Sequence, residues 1–186
     1  MGYKERFLDI ARTNIHRDGI ESLLEMLEKT DFYKAPASSR HHDSFEGGLV
    51  EHTVHVFDFL TQDELATSNF SMEQLAIVAL FHDVCKIGQY KVEMRNTKDD
   101  KGKWVQVPYY TVDDPFPYGH GEKSVLMVGD FITLELDEVM AIRWHMGAYV
   151  GQQDWNTLGN AYKAFPLALL LHQADMRASY LKDFGK

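Results

Sequence analysis

The chain has a single cysteine, Cys85, among its 186 residues, so no internal disulfide can form and no Cys-x-x-Cys pair exists for a zinc knuckle. Its longest unbroken apolar runs, Leu75 to Phe81 and Phe165 to Leu171, are seven residues each, against roughly 20 needed to cross a bilayer. No membrane partner is expected. Positive charge is scarce as well: 19 Lys+Arg against 28 Asp+Glu leave a formal charge of −9. That balance lacks the basic footprint that displaces counterions from duplex nucleic acid. Internal repeats, low-complexity tracts and an obvious linker are missing. Met1 is followed by a polar, charged segment rather than a signal peptide, so a reducing, cytoplasmic location is expected. What the chain does hold is 45% hydrophobic and 25% charged residues, the proportions of an ordinary globular protein, and nine histidines.

The apolar residues recur mostly at three- and four-residue steps, which reads as a mainly α protein. Ile20, Leu23, Leu24 and Leu27 place a stripe on a helix of about 12 residues after Asp18, a plausible cap. Residues 34–48 read as a loop, and a helix follows from near Leu49 with Val50, Val54, Phe57 and Leu60 on one face. Ser71 and Gln74 form a capping-box signature ahead of the apolar run that ends at His82-Asp83. Beyond Gly88 the period changes. Tyr90, Val92 and Met94 alternate with polar residues, as do residues 104–107, which predicts a small β-hairpin inserted at about 89–110. Further helices are expected from about Glu122, from Asp137 to His145, and from Pro166 to about Tyr180. The simplest organisation is one domain over 1–186, with N-terminal helices in 1–46 packing on a core of 47–180.

Metal chemistry needs imidazoles and carboxylates converging from rigid elements. His52, His82, Asp83, His120, His145 and Asp175 offer such a series, at spacings of 30, 1, 37, 25 and 30. At a fraying helix end the adjacent His82 and Asp83 can turn to one point, the carboxylate bridging two ions while the imidazole holds one. Four imidazoles and two carboxylates suit two divalent transition-metal ions such as Fe, Mn, Co or Zn.

This series resembles the HD-domain superfamily of metal-dependent phosphohydrolases. Gly47-Gly48-Leu49-Val50-Glu51-His52-Thr53 is similar to the Gly-Gly-Leu-x-Glu-His-Thr segment of several members, the HD exoribonucleases among them. Phe81-His82-Asp83-Val84-Cys85-Lys86-Ile87-Gly88 resembles the central His-Asp-Ile-Gly-Lys-Ile signature, with Cys85 in place of Gly. His120, His145 and Asp175 take the remaining positions, and the resemblance runs from about Gly47 to Ala178. It implies an HD-domain helical bundle. The two additional histidines imply a binuclear centre, as in HD phosphodiesterases acting on cyclic dinucleotides and in HD-fold oxygenases.

The resemblance implies a phosphohydrolase cleaving a phosphoester bond of a nucleotide or related phosphorylated small molecule, with Asp83 and Lys86 as catalytic residues. Lys86, three residues after Asp83, has a family counterpart that faces the phosphate. Lys123, Arg143 and His42 are further candidate phosphate contacts, each balanced against an ordinary solvated or packing role. His172 is one helical turn from Asp175 and can orient it, while His16 and His55 read as packing or solvated residues. Tyr109, Tyr110, Phe116, Tyr118, Trp144 and Trp155 are enough aromatics to stack a base, although such residues more often fill a core. The hairpin joins two ligand-bearing segments and can form a wall of the pocket. The same ligands also serve di-iron HD-fold oxygenases that oxidise a polyol or a phosphonate, and a nucleotide-binding module without turnover is a third alternative. Oligomeric state is not readable from the sequence.

Overall fold

The computed structural model describes residues 2–40 and 43–183; His42, a candidate phosphate contact, lies outside them. Helices α1 (Tyr3–Asn14), α2 (Ile20–Glu28), α3 (Gly48–Thr61), α4 (Glu64–Asn69) and α5 (Met72–Phe81) precede a hairpin of β1 (Tyr90–Lys98) and β2 (Trp104–Val112). After it come α6 (His120–Gly129), α7 (Leu136–Trp144), α8 (Trp155–Ala164) and α9 (Pro166–Leu181). The protein is therefore mainly α-helical with a small antiparallel hairpin among the helices.

α5 is the centre of the packing. Every residue from Leu75 to Phe81 is 0% exposed, so the helix is apolar all round because it is covered all round. Its start is set by the expected capping box: Ser71 Oγ accepts from Gln74 N at 3.2 Å and Gln74 Oε1 accepts from Ser71 N at 3.0 Å. Each fully buried Leu or Ile there contributes about 1.5–3 kcal/mol over its exposed state. α3 packs on α5 and α9, α7 packs on α9, and α1 lies across α3 and α5. These contacts bring the ends of α5 and α7 together with the middles of α3 and α9.

α2 differs from the sequence expectation. It starts at Ile20 and runs nine residues, and Gly19, not Asp18, occupies its N-cap at φ 92°. The chain passes so close to α6's trailing loop that a Cβ on Gly19 would lie 2.0 Å from the Phe131 carbonyl oxygen. A tight left-handed turn therefore decides where the helix begins.

The hairpin runs in register from Tyr90 opposite Val112 to Lys98 opposite Trp104. Asp99 closes its turn by accepting from Lys101 N and Lys103 N, both at 2.9 Å. Val92, Met94 and Trp104 are exposed, while Val105, Val107 and Tyr109 at alternate positions of β2 are half-buried. Its root meets the helical body at Tyr90, whose hydroxyl donates to the Ala37 carbonyl at 3.3 Å.

One buried ion pair ties the α1–α2 connection to α7. Arg17 donates to Glu138 through two nitrogens at 2.6 and 2.7 Å and to the Thr133 carbonyl at 2.6 Å, while the Glu138 side chain is 0% exposed. Arg17→Ala would leave that carboxylate buried and unpaired. Urea denaturation is expected to show a loss of about 3–5 kcal/mol, largely recovered when Glu138 is also replaced by Met.

Candidate metal centre

His82 and His145 occupy equivalent places, each immediately after the last residue of its helix, α5 and α7. Helix ends leave carbonyls without intrahelical partners, and each ring uses one. His82 Nδ1 lies 2.9 Å from the Ala79 carbonyl and His145 Nδ1 lies 2.7 Å from the Ile142 carbonyl. A carbonyl only accepts, so both Nδ1 atoms carry the hydrogen, and each ring in its neutral form presents an Nε2 lone pair. Those two Nε2 atoms are buried and have no hydrogen-bond partner among the described residues. The rings face each other with centroids 4.8 Å apart.

Asp83, 2% exposed, is the hub of the cluster. Its Oδ1 lies 2.8 Å from His120 Nε2 and 3.5 Å from His145 Nε2. Its Oδ2 lies 2.6 Å from Lys86 Nζ, 3.4 Å from His82 Nε2 and 4.0 Å from His52 Nε2. Asp175, from the middle of α9, places Oδ1 3.1 Å from His52 Nε2. All six residues expected from the sequence series thus converge. Ligand atoms within 4.8 Å of one another form the sets His52, His82, Asp83; His82, His145, Asp175; and Asp83, Cys85, His120.

Such an arrangement is built for cations. Imidazole lone pairs directed at carboxylate oxygens 3.4–3.5 Å away repel them unless a positive charge sits between. The electronegative C-terminal poles of α5 and α7 point at the same place. The donor set of nitrogen and oxygen, with one sulfur at its edge, suits borderline divalent ions, and two of these sets could each chelate one.

The protonation balance agrees. Burial pushes Asp83 up, but Lys86 and His82 outweigh it and hold the carboxyl well below its usual range. Burial likewise opposes, and His52 reverses, the shift at Asp175, which also lies low. Burial drives His145 down to about 4, leaving it neutral. His120 resists burial and is pushed up to about 10 by Cys85 and Asp83, and His82 is raised by Asp83 in the same way.

Several supports were not apparent from the sequence. Gly121 has no room for a side chain: a Cβ there would lie 2.3 Å from the Arg143 carbonyl oxygen. The backbone of α6 therefore sits against the end of α7, and this brings His120 beside His145, ring centroids 5.2 Å apart. Gly121→Val is expected to pry α6 from α7 and cost about 1–3 kcal/mol in urea denaturation; undiminished stability would contradict this account. Asp43, 5% exposed, sets Oδ2 3.9 Å from His52 Nδ1, and Lys182 pairs with both Asp43 and Glu51. His172 does not orient Asp175 as expected. Its Nδ1 lies 2.7 Å from the His145 carbonyl, and its ring packs where a Cβ on Gly147 would fall, so it fixes the turn after α7.

A cavity of about 360 Å³ opens on the cluster, lined by Asp83, Lys86, His120 and Asp175 together with Tyr90, Tyr149 and Tyr180. Lys86 is on its wall, delivered not by a continuing helix but by the 3₁₀ turn Val84–Lys86. Its ammonium donates to Asp83 Oδ2 and to the Ala37 carbonyl, both at 2.6 Å. Neither Lys123 nor Arg143 lines this cavity. Lys123 is buried and donates to Asp114 at 2.7 Å, and Arg143 pairs with Glu122 at 2.5 Å and stacks on Trp144. Both charges are already engaged by partners, which sequence spacing from the histidines does not reveal. His16 and His55 lie away from the cluster, His55 on the side of α3 that meets Tyr3.

No family model, curated protein or solved structure matches the chain.

Proposed function

We propose that the protein is a metal-dependent phosphohydrolase of HD-domain type, cleaving a phosphoester bond of a nucleotide or related phosphorylated molecule. The observation that carries this reading is the pair of buried Nε2 lone pairs, on His82 and His145, aimed at a carboxylate that also meets a lysine at the wall of an open cavity. In this reading His52, His82, Asp83, His120, His145 and Asp175 would hold two divalent ions. Ions so held supply Lewis acidity towards a phosphoryl oxygen and lower the pKa of water to near neutrality.

The chain's own residues do the positioning. Asp83 spreads its two oxygens towards different imidazoles, Oδ1 towards His120 and His145 and Oδ2 towards His82. His82 and His145 are held in one tautomer by the Ala79 and Ile142 carbonyls, so no reorganisation precedes ion binding. Lys86 spends two of its three protons on Asp83 and Ala37 and has a third for a non-bridging phosphoryl oxygen, where negative charge grows as water adds to phosphorus. The bond from phosphorus to the leaving oxygen then breaks, releasing an alcohol and a phosphate or phosphomonoester. The net charge of −9 is no obstacle, because local positive charge from the ions and Lys86 governs the cavity.

Metal analysis of protein purified without chelators, followed by manganese loading and a panel of cyclic, linear and triphosphate nucleotides, tests the reading. Bound transition metal with phosphate or nucleotide release is expected. Oxygen consumption by the ferrous protein without phosphoester cleavage, or recovery of every nucleotide unchanged, would overturn it.

A further inference from the structure

A second cavity, of about 510 Å³, lies between the hairpin and the segment that follows α2. Arg40, Arg95, Tyr109 and Tyr110 line it, and Ser39 lines both this cavity and the one on the metal cluster. Arg40 and Arg95 are exposed, and neither forms an ion pair among the described residues. Yet they are not randomly placed. The Arg95 guanidinium stacks 5.2 Å from the centroid of the Tyr109 ring, and both guanidiniums act electrostatically on the Tyr109 hydroxyl, which donates to Glu93 at 3.1 Å.

Two guanidiniums recognise phosphate oxygens in paired fashion, and tyrosine rings stack on bases without regard to which base. The volume exceeds what a lone phosphate fills and lies within the range of small-molecule sites. The neighbouring cavity has its own aromatic walls in Tyr90, Tyr149 and Tyr180. In a chain poor in basic residues, two exposed arginines without an ion pair among the described residues, set beside two tyrosines, are a local exception. We infer that the hairpin cavity is a nucleotide subsite, and that the substrate is a linear dinucleotide whose second nucleotide unit is held by Arg40, Arg95 and Tyr109 while its scissile phosphoester meets the metal cluster. This rests on the phosphohydrolase reading for the cleavage step and on the cavity for the binding step. The reaction consumes one water and converts the diester into two mononucleotide units.

The test uses the manganese-loaded protein, a 5′-phosphorylated linear diadenylate and methyl 4-nitrophenyl phosphate, a diester too small to reach the second cavity. In the Arg40→Ala/Arg95→Ala chain, and separately in Tyr109→Ala, KM for the diadenylate is expected to rise about 10-fold or more. Turnover of the small diester is expected to stay unchanged, which also shows that the variants fold. Equal effects on both substrates, or none on either, would overturn the subsite. Fluorescence anisotropy with labelled diadenylate separates the two readings. If the wild type cleaves neither substrate, the phosphohydrolase reading fails, while binding that weakens about 10-fold in the double variant still upholds the subsite. Absent binding, or binding indifferent to the substitutions, overturns it.

Discussion

Asp83→Asn is expected to abolish loading of both ions and to lower kcat/KM for any phosphoester substrate by more than about 100-fold, beyond the range for removing outer partners of metal ligands. The substitution keeps the shape of the side chain and removes the charge that both ion positions share. Lys86 would lose its anionic partner at 2.6 Å but keep the Ala37 carbonyl. The helical body is therefore expected to remain folded, since the α5 core does not involve the carboxylate. Metal analysis, far-ultraviolet circular dichroism and turnover measured on one preparation check all three statements. An Asn variant that retained two ions per chain would remove Asp83 from its bridging role.

Metal affinity is expected to rise steeply with pH. The sign follows from the ion-free cluster, where His120 is pushed up to about 10 and His82 is raised, both against the opposing effect of burial. Protonated imidazole cannot ligate, so at neutral pH ion binding must expel the His120 proton, and lowering the proton concentration favours the bound state. For each proton displaced, affinity is expected to increase about tenfold per pH unit between roughly pH 6 and 9. His145, driven down to about 4, is already neutral there and contributes no such slope. Isothermal titration of the stripped protein with zinc or manganese, in buffers of different ionisation enthalpy, reads the protons released. A pH-independent affinity would contradict the protonation balance and, with it, the direct involvement of His120.

Much of the candidate site was legible because its signals are local. His82-Asp83 follows an apolar run whose capping box is written in Ser71 and Gln74, so both the helix and the place where it stops can be read from neighbours. The hairpin betrays itself by a change of period at Gly88, and its observed strands, Tyr90–Lys98 and Trp104–Val112, lie close to the expected span. What failed to show were features decided by close approach between distant segments. Gly121 looks like any glycine until the Arg143 carbonyl is found 2.3 Å from where its Cβ would be. Lys123 and Arg143 sit at suggestive spacings from His120 and His145, but Asp114 and Glu122 hold them away from the cavity. His172 lies one turn from Asp175 in sequence, yet its hydrogen bond goes to the His145 backbone, 27 residues away.

By itself, the sequence determined a mainly α chain with an inserted hairpin, and a set of six imidazole and carboxylate residues of the type that holds transition metals. Periodicity and ligand chemistry are properties of short segments and residue types, so they survive without coordinates. The tertiary structure alone decided that the six converge in one cluster, which tautomers His82 and His145 adopt, and which cations face the cavity. Those outcomes depend on helix ends and loops brought together from distant parts of the chain by burial of the α5 core. That packing also sets the two cavities side by side at Ser39, an arrangement no local pattern encodes.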